Sequence, residues 1–297
     1  MDFLSENKKG TIYAIISALC NGFMGYYGMT ILNAGLSPYN MSFWRFLITS
    51  ILMLFVFIPK YKICLNQYKE SILVFFYGIA TYGLTTTIYF VASKRIGSGL
   101  SMVIFFVYPA IVMLLNVIFY KSKVSKIHYV AFIMIFTGVI FMVNITDLNF
   151  DFLGLFFAIL SAAAYAIYVL KSKHINIDPI VSTFMVCLGC AFSCFICSII
   201  DSSFIVPNQL DIWINIFCMA IFCTAIPILF LLKALQYISA EKSSMLSVLQ
   251  PVFVLISGIF LLNEPINNSQ IIGATILLSG VFMTFFSQEN NSSNKTQ

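Results

Sequence analysis

Residues 96–112 read IGSGLSMVIFFVYPAIV, and residues 238–254 read ISAEKSSMLSVLQPVFV. Ile96 stands against Ile238, Ser101 against Ser243, Pro109 against Pro251 and Val112 against Val254. The register runs without a gap over 96–141 and 238–283, so that Thr137-Gly138-Val139 meets Ser279-Gly280-Val281. A second match joins the starts of the halves: Gly10, Ala14, Ile15, Ser17 and Ala18 against Gly154, Ala158, Ile159, Ser161 and Ala162. A gapless register that carries a proline inside an apolar run is a poor product of chance. The chain is an internal duplication, and a repeat found first constrains every later reading.

The medium around the repeat follows from composition. Of 297 residues, 60% are apolar and 9% are charged. A soluble domain has roughly 45–50% apolar and about 25% charged residues. The excess must face another apolar phase, and a helix of about 20 apolar residues spans the hydrocarbon of a bilayer. Apolar runs of that order occupy 11–32, 39–59, 71–92, 98–120, 127–144, 153–171, 180–200, 211–233, 243–263 and 270–287. The expected fold is an all-α integral membrane protein with ten transmembrane helices, five in each copy of the repeat. Five is odd, so the second copy enters from the opposite side, and the copies are expected to be inverted repeats. The expected segments are a polar terminus at 1–10, a first five-helix repeat at 11–144, a second at 153–287 and a disordered tail at 288–297.

Charge sets the orientation. With a cytoplasmic N-terminus, the cytoplasmic breaks hold Lys8, Lys9, Lys60, Lys62, Lys121, Lys123, Lys171, Lys173 and Lys242. The far-side loops hold Asp147, Asp151, Asp201, Asp211 and Glu264. The positive-inside rule then places both termini in the cytoplasm. The excess of Lys over Arg and the frequency of Ile, Asn, Phe and Tyr point to an AT-rich genome and a bacterial inner (plasma) membrane. The net charge of +5 is split among these breaks and makes no contiguous basic face, which argues against nucleic-acid binding.

Several chemistries find no footing. Cys187, Cys190, Cys194 and Cys197 share one face of one helix and cannot surround a zinc ion tetrahedrally, so they read as packing residues. The histidines, His128 and His174, sit at span ends beside lysines and read as solvated. No HExxH, intramembrane aspartate pair or phosphate-binding P-loop occurs, so no catalytic residue, metal or cofactor is expected. Inverted repeats are a recurring plan of secondary transporters, in which solute binds near mid-membrane between the copies.

The candidate solute contacts follow from depth and symmetry. Arg45 lies within the second span, where a charge is costly. It reads either as a carboxylate or phosphate anchor or as an interfacial anchor beside Trp44. Pro109 and Pro251 interrupt matched spans and read as hinges. Tyr108 and Gln250 precede them at equivalent positions. Asn21, Tyr82, Asn116 and Tyr165 are polar groups at mid-span depth and complete the candidate set. Gly22, Gly25 and Gly28 read as a close-packing face. The expected partners are a small-molecule solute and the lipid bilayer. With no acid deep in a span, uniport or exchange is favoured over proton coupling.

The segments Ala92–Gly138 and Ala234–Gly280 resemble the drug/metabolite transporter superfamily, specifically its EamA-type ten-helix transporters. Ser243-Ser244, Pro251, Glu264-Pro265, Gly273 and Gly280 in the second copy carry the likeness, together with Phe43-Trp44-Arg45-Phe46. The first copy departs from it at Lys121-Ser122-Lys123, where that family often keeps a glutamate. The resemblance implies an exporter or exchanger of amino acids or related metabolites. Carriage of a nucleotide-linked or adenosyl metabolite is the alternative.

Overall fold

The computed structural model describes residues 2–57, 67–121, 125–142, 151–262 and 267–286. Lys60, Lys62, Ser122, Lys123, Asp147, Glu264, Pro265 and the tail at 288–297 lie outside the described residues. Every regular element among the described residues is helical. That outcome is what lipid demands, because a helix pairs its own backbone groups where no water can. Seven helical stretches are long and apolar enough to cross a membrane: Glu6–Asn33, Pro38–Val56, Tyr68–Ser93, Leu100–Tyr120, Phe152–His174, Pro179–Ile200 and Leu210–Tyr237. Lys126–Met142 and Asn268–Met283 are shorter apolar helices.

In chain order the elements are α1 (Asp2–Gly22), α2 (Met24–Asn33), α3 (Pro38–Phe57), α4 (Tyr68–Tyr77) and α5 (Leu84–Ile96). There follow α6 (Ser98–Phe105), α7 (Tyr108–Tyr120), α8 (Lys126–Met142), α9 (Phe152–His174) and α10 (Pro179–Ile200). The last are α11 (Leu210–Ala220), α12 (Ile226–Tyr237), α13 (Ala240–Ser247), α14 (Gln250–Leu262) and α15 (Asn268–Phe286). A π-helical turn, Gly78–Gly83, joins α4 to α5, and a second, Ile221–Ala225, joins α11 to α12. The first helix begins at Asp2, well before the apolar run that opens near residue 11, and Thr11 Oγ1 donates back to Asn7 O at 2.8 Å within it.

The packing of one half is repeated in the other. Helix α1 lies on α12 and on α13–α14, and α9 lies on α5 and on α6–α7. Helices α3 and α10 pair with each other, as do α8 and α15. The backbone breaks match as well. The amide of Val107 donates to Ile104 O (3.0 Å) and that of Ala110 to Val107 O (2.9 Å). The amide of Leu249 donates to Leu246 O (3.1 Å) and that of Val252 to Leu249 O (3.0 Å). These tight turns separate α6 from α7 and α13 from α14. Pro109 and Pro251 sit one residue inside the helices that follow, where a missing amide costs nothing. Each proline therefore falls just after a tight turn within its span.

Helices α8 and α15 meet backbone to backbone. A Cβ built on Gly138 would stand 2.6 Å from Gly273 O, and one on Gly273 would stand 2.6 Å from Gly138 O. The small-residue reading of the glycine series on the first span holds in part. A Cβ on Gly22 would stand 2.4 Å from Phe253 Cβ, whereas Gly28 has only Met219 near it (3.9 Å) and faces a cavity instead. At one end of the bundle Arg95 Nη1 donates to Asp151 Oδ2 at 2.8 Å, tying the end of α5 to the start of α9. This bond holds the Asp151 carboxyl below the usual carboxylate range. The tie is present above the unfolded carboxylate range and is lost as pH falls through the lowered value.

Gly138→Leu is expected to push α8 and α15 apart and to lower stability by about 1–3 kcal/mol or more, the cost of overpacking a tight interface. Thermal unfolding of the purified protein in detergent, followed by intrinsic fluorescence, checks this.

Candidate functional site

Both halves contribute to a cavity of about 470 Å³. Asn21, Arg45, Tyr82, Tyr165 and Gln250, five of the residues singled out from sequence, line it. The lining continues through Thr85, Thr86, Tyr89 and Phe90 of α5 and Phe105 and Phe106 at the α6–α7 break. Met219 of α11 and Cys223 of the second π turn close one side. Leu32, Pro38 and Ser93, near helix ends, carry the cavity from mid-depth toward one end of the bundle. The volume is that of an ordinary small-molecule site.

Among the described residues Arg45 is the one charged side chain on this wall, and it is only 2% exposed. Helix α3 fixes its direction. Asn40 Nδ2 and Trp44 Nε1 both donate to Ile205 O (2.8 and 3.1 Å), which pins one face of the helix to the 203–209 segment. Trp44 also meets Trp213 edge-on at 4.9 Å. The aromatic belt is therefore occupied by Trp44, while Arg45 turns into the bundle instead of snorkelling to an interface. Its guanidinium carbon lies 4.4 Å above the Phe46 ring, and Nη1 approaches Met24 Sδ at 3.7 Å. Nε is buried without an acceptor among the described residues.

The π turns bring backbone oxygens into the same region. Thr49 Oγ1, one helical turn beyond Arg45, shares its one proton between Arg45 O (2.8 Å) and Ala220 O (3.0 Å), where the second π turn begins. Cys190 Sγ donates to Gly78 O at 3.4 Å, at the first π turn. Ser17 Oγ donates to Pro227 O at 2.8 Å, just beyond the second. Wide turns of this kind recur at functional sites because they displace the ladder and re-aim side chains. The cysteine series of α10 is thus packing: Cys187, Cys190 and Cys194 are buried against the first half.

Away from its mouth the cavity ends on aromatic rings. Tyr165 meets Tyr108 edge-on at 4.8 Å, Tyr82 meets Tyr168 at 4.9 Å, and Phe105 lies 5.4 Å from Tyr165. Tyr108 stands behind this floor, 2% exposed, and donates its hydroxyl to Ser244 O at 3.0 Å. Tyr108 and Gln250 occupy equivalent sequence positions but unlike places, one beneath the floor and one on the wall. Asn116 is further still from the cavity. Its amide donates to Glu241 Oε1.

Glu241 carries no sequence signal of its own, and its neighbour Lys242 reads as part of a cytoplasmic break. They are 6% and 4% exposed, in the first turn of α13. Packing of α13 against α7 and α1 buries them. The histidines differ: His174 is exposed at a helix end, as expected, whereas His128 is not fully solvated. His128 is half-buried on α8, and the charge of Glu241 reaches it and Lys173. His174 ends α9 and stacks on Tyr120 at 3.7 Å and 8°. The one signal that could have found Glu241 is its place in the repeat, where the first copy has Gly99 within an apolar helix start.

Glu241→Ala is expected to lower stability by about 1–3 kcal/mol, because it strands the Asn116 amide in a buried place. Glu241→Gln keeps an acceptor for that amide and is expected to lose less. Paired melting curves of the two variants in detergent check this.

Likeness to known proteins agrees with this architecture. An uncharacterized transporter of Archaeoglobus fulgidus is 25% identical over 252 residues, covering 84% of this chain and 88% of its own. The uncharacterized transporter YojE of Bacillus subtilis is 21% identical over 299 residues, covering 96% of each. One solved crystal structure superposes with a TM-score of 0.84 over 95% of this chain and 98% of its own, at 13% identity, a likeness of fold alone. The model of the EamA-like transporter family matches twice, at 8–144 and at 152–286, the two copies of the internal repeat. With nearly the whole chain covered by those two matches, this membrane protein belongs to the EamA-like transporter family.

Proposed function

We propose that the chain is a secondary transporter, an exporter or exchanger of small metabolites such as amino acids or related compounds. Ten transmembrane helices form two inverted five-helix repeats, with both termini cytoplasmic, in a bacterial inner membrane. The observation that carries this reading is the cavity itself. It reaches mid-depth, draws its wall from both halves and ends on a tyrosine floor. A carrier needs a solute site that one side can reach while the other is shut, and inverted repeats supply two such arrangements of equal kind.

The matched packing of the halves supports alternating access. The breaks before Pro109 and Pro251 are the hinges in this reading, since two short helices joined by a tight turn can reorient at less cost than one continuous helix. When the mouth at Leu32, Pro38 and Ser93 closes, the floor opens. Tyr108 then leaves Ser244, and Asn116 leaves Glu241. Arg45, Asn21, Tyr82, Tyr165 and Gln250 hold the solute, and Tyr108 and Asn116 belong to the closure beneath it.

Counterflow in proteoliposomes preloaded with a pooled amino-acid mixture is expected to show solute-specific exchange in the wild type. Arg45→Ala is expected to reduce it by about tenfold or more, the loss of one charge-assisted contact. Absence of counterflow for amino acids, organic acids and nucleotides alike, from folded and inserted protein, would overturn the transport reading.

A further inference from the structure

We infer that the cavity recognises a monocarboxylate with an apolar body, bound through Arg45, and that an amino group on the solute adds nothing to recognition. This rests on the cavity being the transporter's solute site.

The charge balance of the wall carries the argument. Arginine keeps its proton in proteins and offers donors in a planar fork that matches a carboxylate. Arg45 is 2% exposed, and its visible partners are a thioether sulfur and a ring face. Its Nε finds no acceptor among the described residues. A buried cation so poorly compensated calls for an anion, because burial without a full partner is the costly state. No aspartate or glutamate lines the cavity among the described residues. Glu241 is held behind the tyrosine floor by Asn116.

Among the described residues the wall therefore offers one positive charge and no negative one. A monoanion neutralises it. A phosphate or diphosphate would bring further charge with no second cation among the described lining residues to meet it, which disfavours a nucleotide-linked solute. A zwitterion would bury an ammonium group with no carboxylate opposite. Away from Arg45 the wall is largely aromatic, through Tyr82, Tyr89, Phe90, Phe105, Phe106 and Tyr165. Rings of this kind suit an aryl or branched-alkyl body.

Calorimetric titration of the detergent-solubilised full chain tests this with four probes: 3-phenylpropionate, its primary amide, phenylalanine and phenyl phosphate. The acid is expected to bind about tenfold or more tighter than the amide, the worth of one charge-assisted bidentate contact. Phenylalanine is expected to bind no tighter than the acid, and phenyl phosphate more weakly. In Arg45→Gln the acid and the amide are expected to bind equally. Arg45→Lys keeps the charge without the fork and is expected to keep part of the preference. The wild-type comparison stands even if a variant fails to fold. An amide that binds as well as the acid, or phenylalanine or phenyl phosphate binding tenfold tighter than it, would overturn the inference while leaving transport intact. An acid preference that vanishes in Arg45→Gln would support the site even if counterflow failed, so the two failures are distinguishable.

Discussion

Hydrocarbon gives an unpaired polar group nothing to bond to, and the details of this structure follow from how that demand is met. Ordinary helix satisfies it within each segment. Among the described residues the spans depart from ordinary helix at two π turns, at the tight turns before Pro109 and Pro251, and at Phe23. At or beside each π turn a side chain donates to a carbonyl: Cys190 to Gly78, Thr49 to Ala220 and Ser17 to Pro227. These donors come from helices packed alongside, so irregular backbone is tolerated because the neighbours supply what water would. The same bonds position α3 and, with it, Arg45. The site is thus a by-product of satisfying displaced backbone.

Close backbone contact is the second device. In lipid, packing of small residues replaces the hydrophobic drive that joins helices in water. Gly138 and Gly273 bring α8 and α15 together at a distance no other residue permits. The interior between the remaining helices is then filled by aromatic rings, which explains why the tyrosines gather at mid-depth. Tyr82, Tyr108, Tyr165 and Tyr168 pack ring edge to ring face or tilted. Such a cluster is dense enough to close the cavity, and two of its members are also cavity wall.

Two kinds of buried charge divide the labour. Glu241 is compensated by Asn116 and by the nearby basic groups, so it serves the closed end. Among the described residues Arg45 has only a sulfur and a ring face, so it is the group with bonding capacity to spare. The contrast between a satisfied and an unsatisfied buried charge separates structure from binding in this bundle.

The all-helical membrane fold and the duplication were written in the sequence, because hydrophobic length and repeat register are local properties. The family matches fall on those same two copies. Five of the seven residues expected to hold solute do line one cavity, since polar groups in lipid have few places to go. The tertiary structure alone decided the rest. Symmetry in sequence made Tyr108 and Gln250 equivalent, yet neighbours from other helices put one under the floor and one on the wall. Pro109 and Pro251 read as hinges, and only the folded chain shows the tight turn, closed by bonds three residues apart, that precedes each of them. Whether Arg45 snorkels or turns inward depends on Ile205 holding Trp44 and Asn40 from a segment some 160 residues away, a contact that no local pattern encodes. Glu241 carries no local mark of burial, and the packing of α13 against α7 and α1 is what buries it.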